Sequence, residues 1–102
     1  MRCQLCVEQT TYAGRLLDLS LSGALISTGC KPDLGSSATM TLELFEPARK
    51  ISLAGHVVRV NRGSYSHDQV YHIGIRFDAI TPDGILLLKA AIENRNTVSL
   101  PI

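Results

Sequence analysis

The feature that most constrains the fold of this 102-residue chain is a two-residue alternation of apolar and polar side chains. It is clearest in residues 39–44, where Met40 and Leu42 lie on one face and threonines lie on the other. Successive side chains of a β-strand point to opposite faces, so this pattern predicts a strand with one buried and one exposed face. Residues 70–77 alternate in the same way and predict a second such strand.

A longer strand is predicted at residues 50–61, but its pattern changes along its length. Val57 continues the apolar face of the strand, whereas Val58 and Val60 fall on the opposite face. A strand that is apolar on both faces is usually covered on both sides. We therefore expect the far end of this strand to be buried on both faces.

The remaining predicted elements are shorter, and glycine, proline and serine mark the turns between them. They comprise strands at 3–9, 15–21 and 24–28, a turn or bulge at residues 12–14, and loops at 29–37 and 62–68. Short strands joined by short turns are typical of an all-β domain.

One helix is predicted near the C-terminus. Thr81 is suited to the N-cap, Pro82 to the first helical position, and Asp83 to the positive end of the helix dipole. Apolar residues then recur at helical spacing, namely Ile85, Leu88, Ala91 and Ile92. The polar run 94–96 is expected to end the helix.

These elements together predict an all-β fold with one helix: a six-stranded antiparallel β-barrel followed by a C-terminal α-helix. Closing the sheet removes the exposed edges that six short strands would otherwise present. The helix is expected to cap the barrel, since its apolar stripe needs a partner. The length predicts a single domain over residues 1–102, and strand-like sequence close to Met1 leaves open that this domain is excised from a longer chain.

Charge and hydropathy exclude several classes of function. Ten Lys and Arg against nine Asp and Glu give a net charge of +1, which offers no general attraction to a nucleic-acid polymer. No apolar run approaches the ~20 residues that span a bilayer, and no signal-peptide core follows Met1. We therefore expect no membrane insertion, and the low, odd count of three cysteines predicts a reduced cytoplasmic protein.

The segment 18–23 is the most informative about chemistry, because it reads D-x-S-x-x-G with Asp18, Ser20 and Gly23. In a continuous strand, Asp18, Ser20 and Ser22 would share one face. A carboxylate accepts two parallel N–H bonds of the kind that a guanine edge offers, and a glycine lets a ligand approach the backbone. The alternative is that these polar side chains face only solvent, as is common in antiparallel sheets.

The motif resembles the second half of the signature of the PilZ family of bacterial cyclic-di-GMP receptors. Residues 24–26 resemble its usual continuation, and residues 74–77 resemble the G-x-x-F strand before the family's C-terminal helix. The resemblance extends over essentially the whole chain. It implies a non-catalytic domain that binds cyclic-di-GMP through Asp18, Ser20 and Gly23, has no other cofactor, and signals to an effector protein or adjacent domain in motility or exopolysaccharide regulation.

One part of the family pattern is missing. PilZ receptors carry an R-x-x-x-R element ahead of the first strand, whereas here Arg2 has Cys6 four residues later. This departure leaves open a divergent PilZ-like interaction module that binds no nucleotide. Arg59, Arg62 and Arg76 are possible substitutes for the missing arginines, and solvated surface arginines are the simpler interpretation.

No pattern for an enzyme or a metal centre stands out. Cys3 and Cys6 form a C-x-x-C, but residues three apart in a strand point to opposite faces, so they make a poor zinc pair. Cys30 and the histidines are dispersed, and no serine–histidine–aspartate elbow is evident. We expect neither catalysis nor a metal, and a homodimer is possible.

Overall fold

The protein forms a closed six-stranded antiparallel β-barrel and one C-terminal helix, as predicted. The computed structural model describes residues 2–45, 48–63 and 69–99, and of residues 44, 45, 48, 49 and 94–99 it describes the backbone only. Most of the loop predicted at 62–68 therefore lies outside the described residues. The elements are β1 (Arg2–Val7), β2 (Thr10–Leu19), β3 (Gly23–Thr28), β4 (Ser37–Phe45), β5 (Ala48–Arg62), β6 (Tyr71–Phe77) and α1 (Pro82–Ser99).

The strands follow the order β1-β2-β3-β6-β5-β4 around the barrel, and β1 pairs with β4 to close it. The predicted alternation is confirmed in the interior, which is filled by one face of each strand. Its most deeply buried strand side chains are Leu5, Ile26, Met40, Leu42, Val57 and Ile73. Burying aliphatic side chains of this size contributes roughly 1.5–3 kcal/mol each to folding.

The first turn lies earlier than predicted. Residues 12–14 are part of β2, and the turn is formed by Glu8 and Gln9, which have φ angles of 51° and 69°. Two consecutive positive φ values are typical of a type I′ hairpin turn, and the pairing of Val7 with Thr10 fits a two-residue loop. Gly14 pairs with Cys3 inside β2, and glycine suits this position because a Cβ there would lie 2.8 Å from Ile26 Cγ2.

The prediction that the far end of β5 is covered on both faces is wrong. The register against β6 shifts between Val57 and Arg59, so Val58 is the extra residue of a β-bulge. Val58 is 56% exposed, whereas Val60 packs against the core. Because of the extra residue, Val60 faces the core as Val57 does, and the other face of β5 stays exposed to water.

The helix begins as the sequence predicts and packs on the barrel. The Thr81 hydroxyl accepts a hydrogen bond from the Gly84 N–H at 3.1 Å, which satisfies one free amide of the first turn. Leu88 and Ala91 are fully buried in the core. The helix runs to Ser99 rather than ending at 94–96, because this polar run contains no glycine or proline and asparagine lowers helix propensity only modestly.

Candidate functional site

The three predicted site residues line one groove on the outer wall of the barrel. The groove has a volume of about 260 Å³ and is formed by β2, β3, β5, β6 and the β2–β3 turn. Its described lining residues are Asp18, Ser20, Gly23, Ala24, Leu25, Val58, Arg59, Gly74 and Ile75. None of them comes from α1, so the helix does not cover this wall where the structure describes it.

Four of these residues form one row across the sheet. Asp18 is in register with Leu25, Leu25 with Gly74, and Gly74 with Arg59. Neighbouring strands lie about 4.8 Å apart, so the two charged residues stand three strand spacings apart with an apolar side chain and a glycine between them. The row therefore places an acid at one end, a cation at the other, and a low apolar floor in the middle. We call it the motif row.

A β-bulge precedes each charged end of the motif row. The register of β2 shifts between Leu16 and Asp18, and that of β5 shifts between Val57 and Arg59. In an unbroken strand Asp18 would share the buried face of Leu16, and Arg59 that of Val57. The two bulges instead leave both charged side chains exposed on the outer wall. Bulges are common beside functional sites because they redirect a side chain.

Asp18 lies at the end of β2 with its carboxylate at the surface. Its Oδ1 accepts a hydrogen bond from the Leu19 N–H at 3.0 Å. A carboxylate has about four acceptor positions and can therefore take part in more than one hydrogen bond at a time.

Ser20 does not continue the strand, and the prediction that residues 18, 20 and 22 share one strand face is wrong. β2 ends at Leu19, and the Ser20 N–H donates to the Gly23 carbonyl at 2.9 Å across a two-residue turn. The Ser20 hydroxyl lies 3.3 Å from the N–H groups of Ser22 and Gly23 and 3.1 Å from the Ser22 hydroxyl. Ser20 therefore shapes the turn as well as lining the groove.

Gly23 has a reason within the fold to be glycine. A Cβ at this position would overlap the carbonyl oxygen of Ile75 on the neighbouring strand. Its φ is not in the left-handed region, so close approach of β6 is the constraint, rather than backbone conformation. Contact between Gly23 and a ligand stays a prediction.

Of the three arginines considered as substitutes for the missing element, Arg59 is the one found in the described lining of the groove. Its aliphatic stem lies across Gly74, where a Cβ would come within 2.9 Å of Arg59 Cβ. The Asn61 side chain is oriented so that its amide nitrogen donates to the Val60 carbonyl. Its amide oxygen then accepts a hydrogen bond from Arg59 Nε at 2.7 Å. The side chain is thus supported from below and held from one side.

Arg2 lies at a different groove. That groove has a volume of about 210 Å³, lies on β1, β2 and β4, and is lined by Arg2, Cys3, Gln4, Ala13, Gly14, Thr41 and Glu43. It contains no residue of the D-x-S-x-x-G motif, so Arg2 does not act as an upstream arginine of the motif groove in this arrangement.

The cysteines are placed as the strand geometry predicts. Cys3 points into the core and is 5% exposed, whereas Cys6 lies on the other face of β1 and is half-buried. Burial raises the pKa of the Cys3 thiol to about 11, and burial also raises the pKa of Cys30, which the Tyr12 hydroxyl partly offsets by hydrogen bonding. Among the described residues, no three metal-binding side chains cluster.

A second polar cluster, which the sequence analysis did not find, joins Ser37, His56 and Asp78. The Ser37 hydroxyl lies 3.5 Å from His56 Nε2, and His56 Nδ1 lies 2.9 Å from the Asp78 carboxylate. These contacts have the connectivity of a catalytic triad, but the serine contact is long and all three residues are exposed. The lining of neither groove described above includes them, and the cluster links β4, β5 and the residue after β6 on the exposed surface.

The barrel, the following helix and the motif groove define a small β-barrel domain, and the family comparison agrees with this class. The PilZ domain model matches residues 1–94, and the chain belongs to the PilZ family. A search of curated proteins finds no match to the chain. Within the part of the chain that the structure describes, no helix is long and apolar enough to cross a bilayer.

Proposed function

We propose that this domain binds cyclic-di-GMP in the motif groove and passes the level of this second messenger to an effector protein or adjacent domain, without catalysis. The single observation that carries the proposal is the exposed Asp18 carboxylate at the end of an open groove in a PilZ barrel. A carboxylate there accepts the adjacent N–H groups of a guanine, and Leu25 offers an apolar surface to the face of the base.

Calorimetric titration with cyclic-di-GMP tests this function. We expect the protein to bind and Asp18→Asn to weaken binding about 10- to 100-fold, because hydrogen bonds to a charged group contribute about 1.5–3 kcal/mol. Asp33→Asn is the matched control, since it removes an exposed aspartate from the 29–36 loop, outside the groove.

The titration is repeated with the same domain carrying an added N-terminal R-x-x-x-R segment. Two planar guanidinium groups would close over the phosphates, so we expect tighter binding. If neither form binds while both remain folded, nucleotide binding by this barrel is refuted.

A second candidate function is a PilZ interaction module that binds no nucleotide. It is favoured by the roles that Ser20 and Gly23 have in the fold itself, because these roles account for both residues without a ligand. Its partner would be a protein that contacts the barrel wall. The two titrations discriminate these candidates, because the interaction module gives no heat of binding in either form.

The cellular setting proposed with this function is the bacterial cytoplasm, where cyclic-di-GMP is made and sensed, with control of motility or exopolysaccharide as the output. A homodimer is part of the same proposal. Light scattering with and without ligand measures the oligomeric state directly.

A further inference from the structure

We infer that Arg59 is the phosphate-binding residue of the motif groove, an inference that rests on the proposed function. Asp18 and Arg59 occupy opposite ends of the motif row, with Leu25 and Gly74 between them. The row therefore provides one acceptor end and one cationic end on a single continuous surface. A nucleotide has the complementary arrangement, with base N–H donors at one end and phosphate oxygens at the other.

The two bulges give independent support. Each inserts one extra residue immediately before a charged end of the row, Leu17 before Asp18 and Val58 before Arg59. The bulge in β5 has a cost in burial, because the apolar side chain of Val58 is 56% exposed. The two bulges direct the Asp18 carboxylate and the Arg59 guanidinium to the same groove. A ligand that contacts both side chains explains this arrangement.

The Arg59 side chain is organised for this task. Gly74 removes the side chain that would otherwise occupy the space of the Arg59 stem, so the stem lies along the floor of the row. Asn61 accepts the Arg59 Nε hydrogen at 2.7 Å, so the donors proposed for the ligand are the two terminal nitrogens. A guanidinium held in this way loses less conformational entropy on binding than a freely moving one.

Electrostatics decides which end of the nucleotide lies where. A phosphate beside the Asp18 carboxylate would be repelled, whereas the base N–H groups are attracted there. Arg59 is the one cation among the described residues that line the groove, and a guanidinium matches two phosphate oxygens. The ligand class is therefore a guanine nucleotide that spans the row with its base at Asp18 and a phosphate at Arg59.

The test is calorimetric titration of the whole chain with cyclic-di-GMP at about 50 mM and about 300 mM salt. We expect Arg59→Gln to weaken binding about 10- to 100-fold and to remove most of its salt dependence, because a charged contact is lost. Arg59→Lys should bind more tightly than Arg59→Gln but less tightly than the natural sequence, since lysine keeps the positive charge and lacks the two parallel N–H donors of a guanidinium. Arg62→Gln, on the same strand but outside the described lining, is the control and should stay within about twofold.

The outcomes distinguish the role of Arg59 from the proposed function of the groove. If the unaltered chain binds and Arg59→Gln binds equally well, the role of Arg59 is refuted and the proposed function stands. An equal loss in Arg62→Gln also refutes it, because the effect then reflects net charge. If the unaltered chain does not bind, the same substitutions are compared in the form that carries the added R-x-x-x-R segment, and the proposed function fails only if neither form binds. Thermal unfolding of each variant verifies that these surface substitutions leave the barrel folded.

Discussion

At the scale of single residues, the three members of the motif are not equivalent. Ser20 shapes the β2–β3 turn, and Gly23 prevents a collision with the backbone of β6. A substitution at either position would change the barrel as well as the groove. Asp18, which is exposed at the end of its strand, can be altered with the least effect on the fold. Loss of binding in an Asp18 variant therefore reports on the ligand.

The buried Cys3 thiol predicts a specific loss of stability in alkali. Burial raises its pKa from 9.0 to about 11, so the unfolded chain releases the proton at lower pH than the folded chain does. Between these values the thiolate stabilises the unfolded state, and the free energy of unfolding falls as the pH rises. We expect Cys3 to contribute a loss of about 2 kcal/mol at about pH 10.5 relative to neutral pH.

Urea unfolding of the natural sequence and of Cys3→Val, each at neutral pH and at about pH 10.5, measures this effect. Valine has nearly the volume of cysteine and does not ionise, and the contribution of Cys30 is the same in both proteins. The natural sequence should lose more stability than the variant. An identical pH dependence in the two proteins would contradict the account.

At the scale of elements, the alternation predicted the strands well but not their irregularities. Met40 and Leu42 are buried as predicted, and so is the helical stripe at Leu88. The bulges were missed because each falls in a run with apolar residues on both faces, Leu16–Leu17 and Val57–Val58. Such a run does not show which residue is extra until the neighbouring strand fixes the register. Both bulges share one sequence pattern: two adjacent apolar residues, then a charged residue, then another apolar residue, at 16–19 and at 57–60.

The turn between β1 and β2 predicts a stabilising substitution. Gln9 has a φ of 69°, a conformation that costs an L-residue about 1–2 kcal/mol and glycine almost nothing. After the entropy cost of glycine is subtracted, Gln9→Gly should raise the free energy of unfolding by about 0.5–1 kcal/mol. Urea unfolding measures the change.

The matched control is Thr11→Gly, because Thr11 is an exposed residue of β2 with no positive φ. There glycine brings only its entropy cost and the loss of a strand-forming side chain, so the protein should become less stable. If Gln9→Gly destabilises the protein as much as Thr11→Gly does, the turn is not the one described.

At the scale of the whole molecule, the fold places its core and the proposed ligand groove on different faces of the barrel wall. The strands close on themselves around one core, and α1 contributes Leu88 and Ala91 to it. The described lining of the motif groove contains no residue of α1. The sequence predicted the barrel and the motif. The placement of Asp18 and Arg59 at opposite ends of one row depends on the strand order β2-β3-β6-β5, and no local sequence pattern encodes that order.

The most direct test of the central claim is a titration of ¹⁵N-labelled protein with cyclic-di-GMP, followed through its amide resonances. Ligand in the motif groove should shift the amides of residues 18–25 together with those of Arg59 and Gly74, because they line one surface. The amides around Thr41, at the other groove, should stay unchanged. Unchanged resonances at saturating ligand, or shifts confined to the Arg2 and Thr41 groove, would contradict the account.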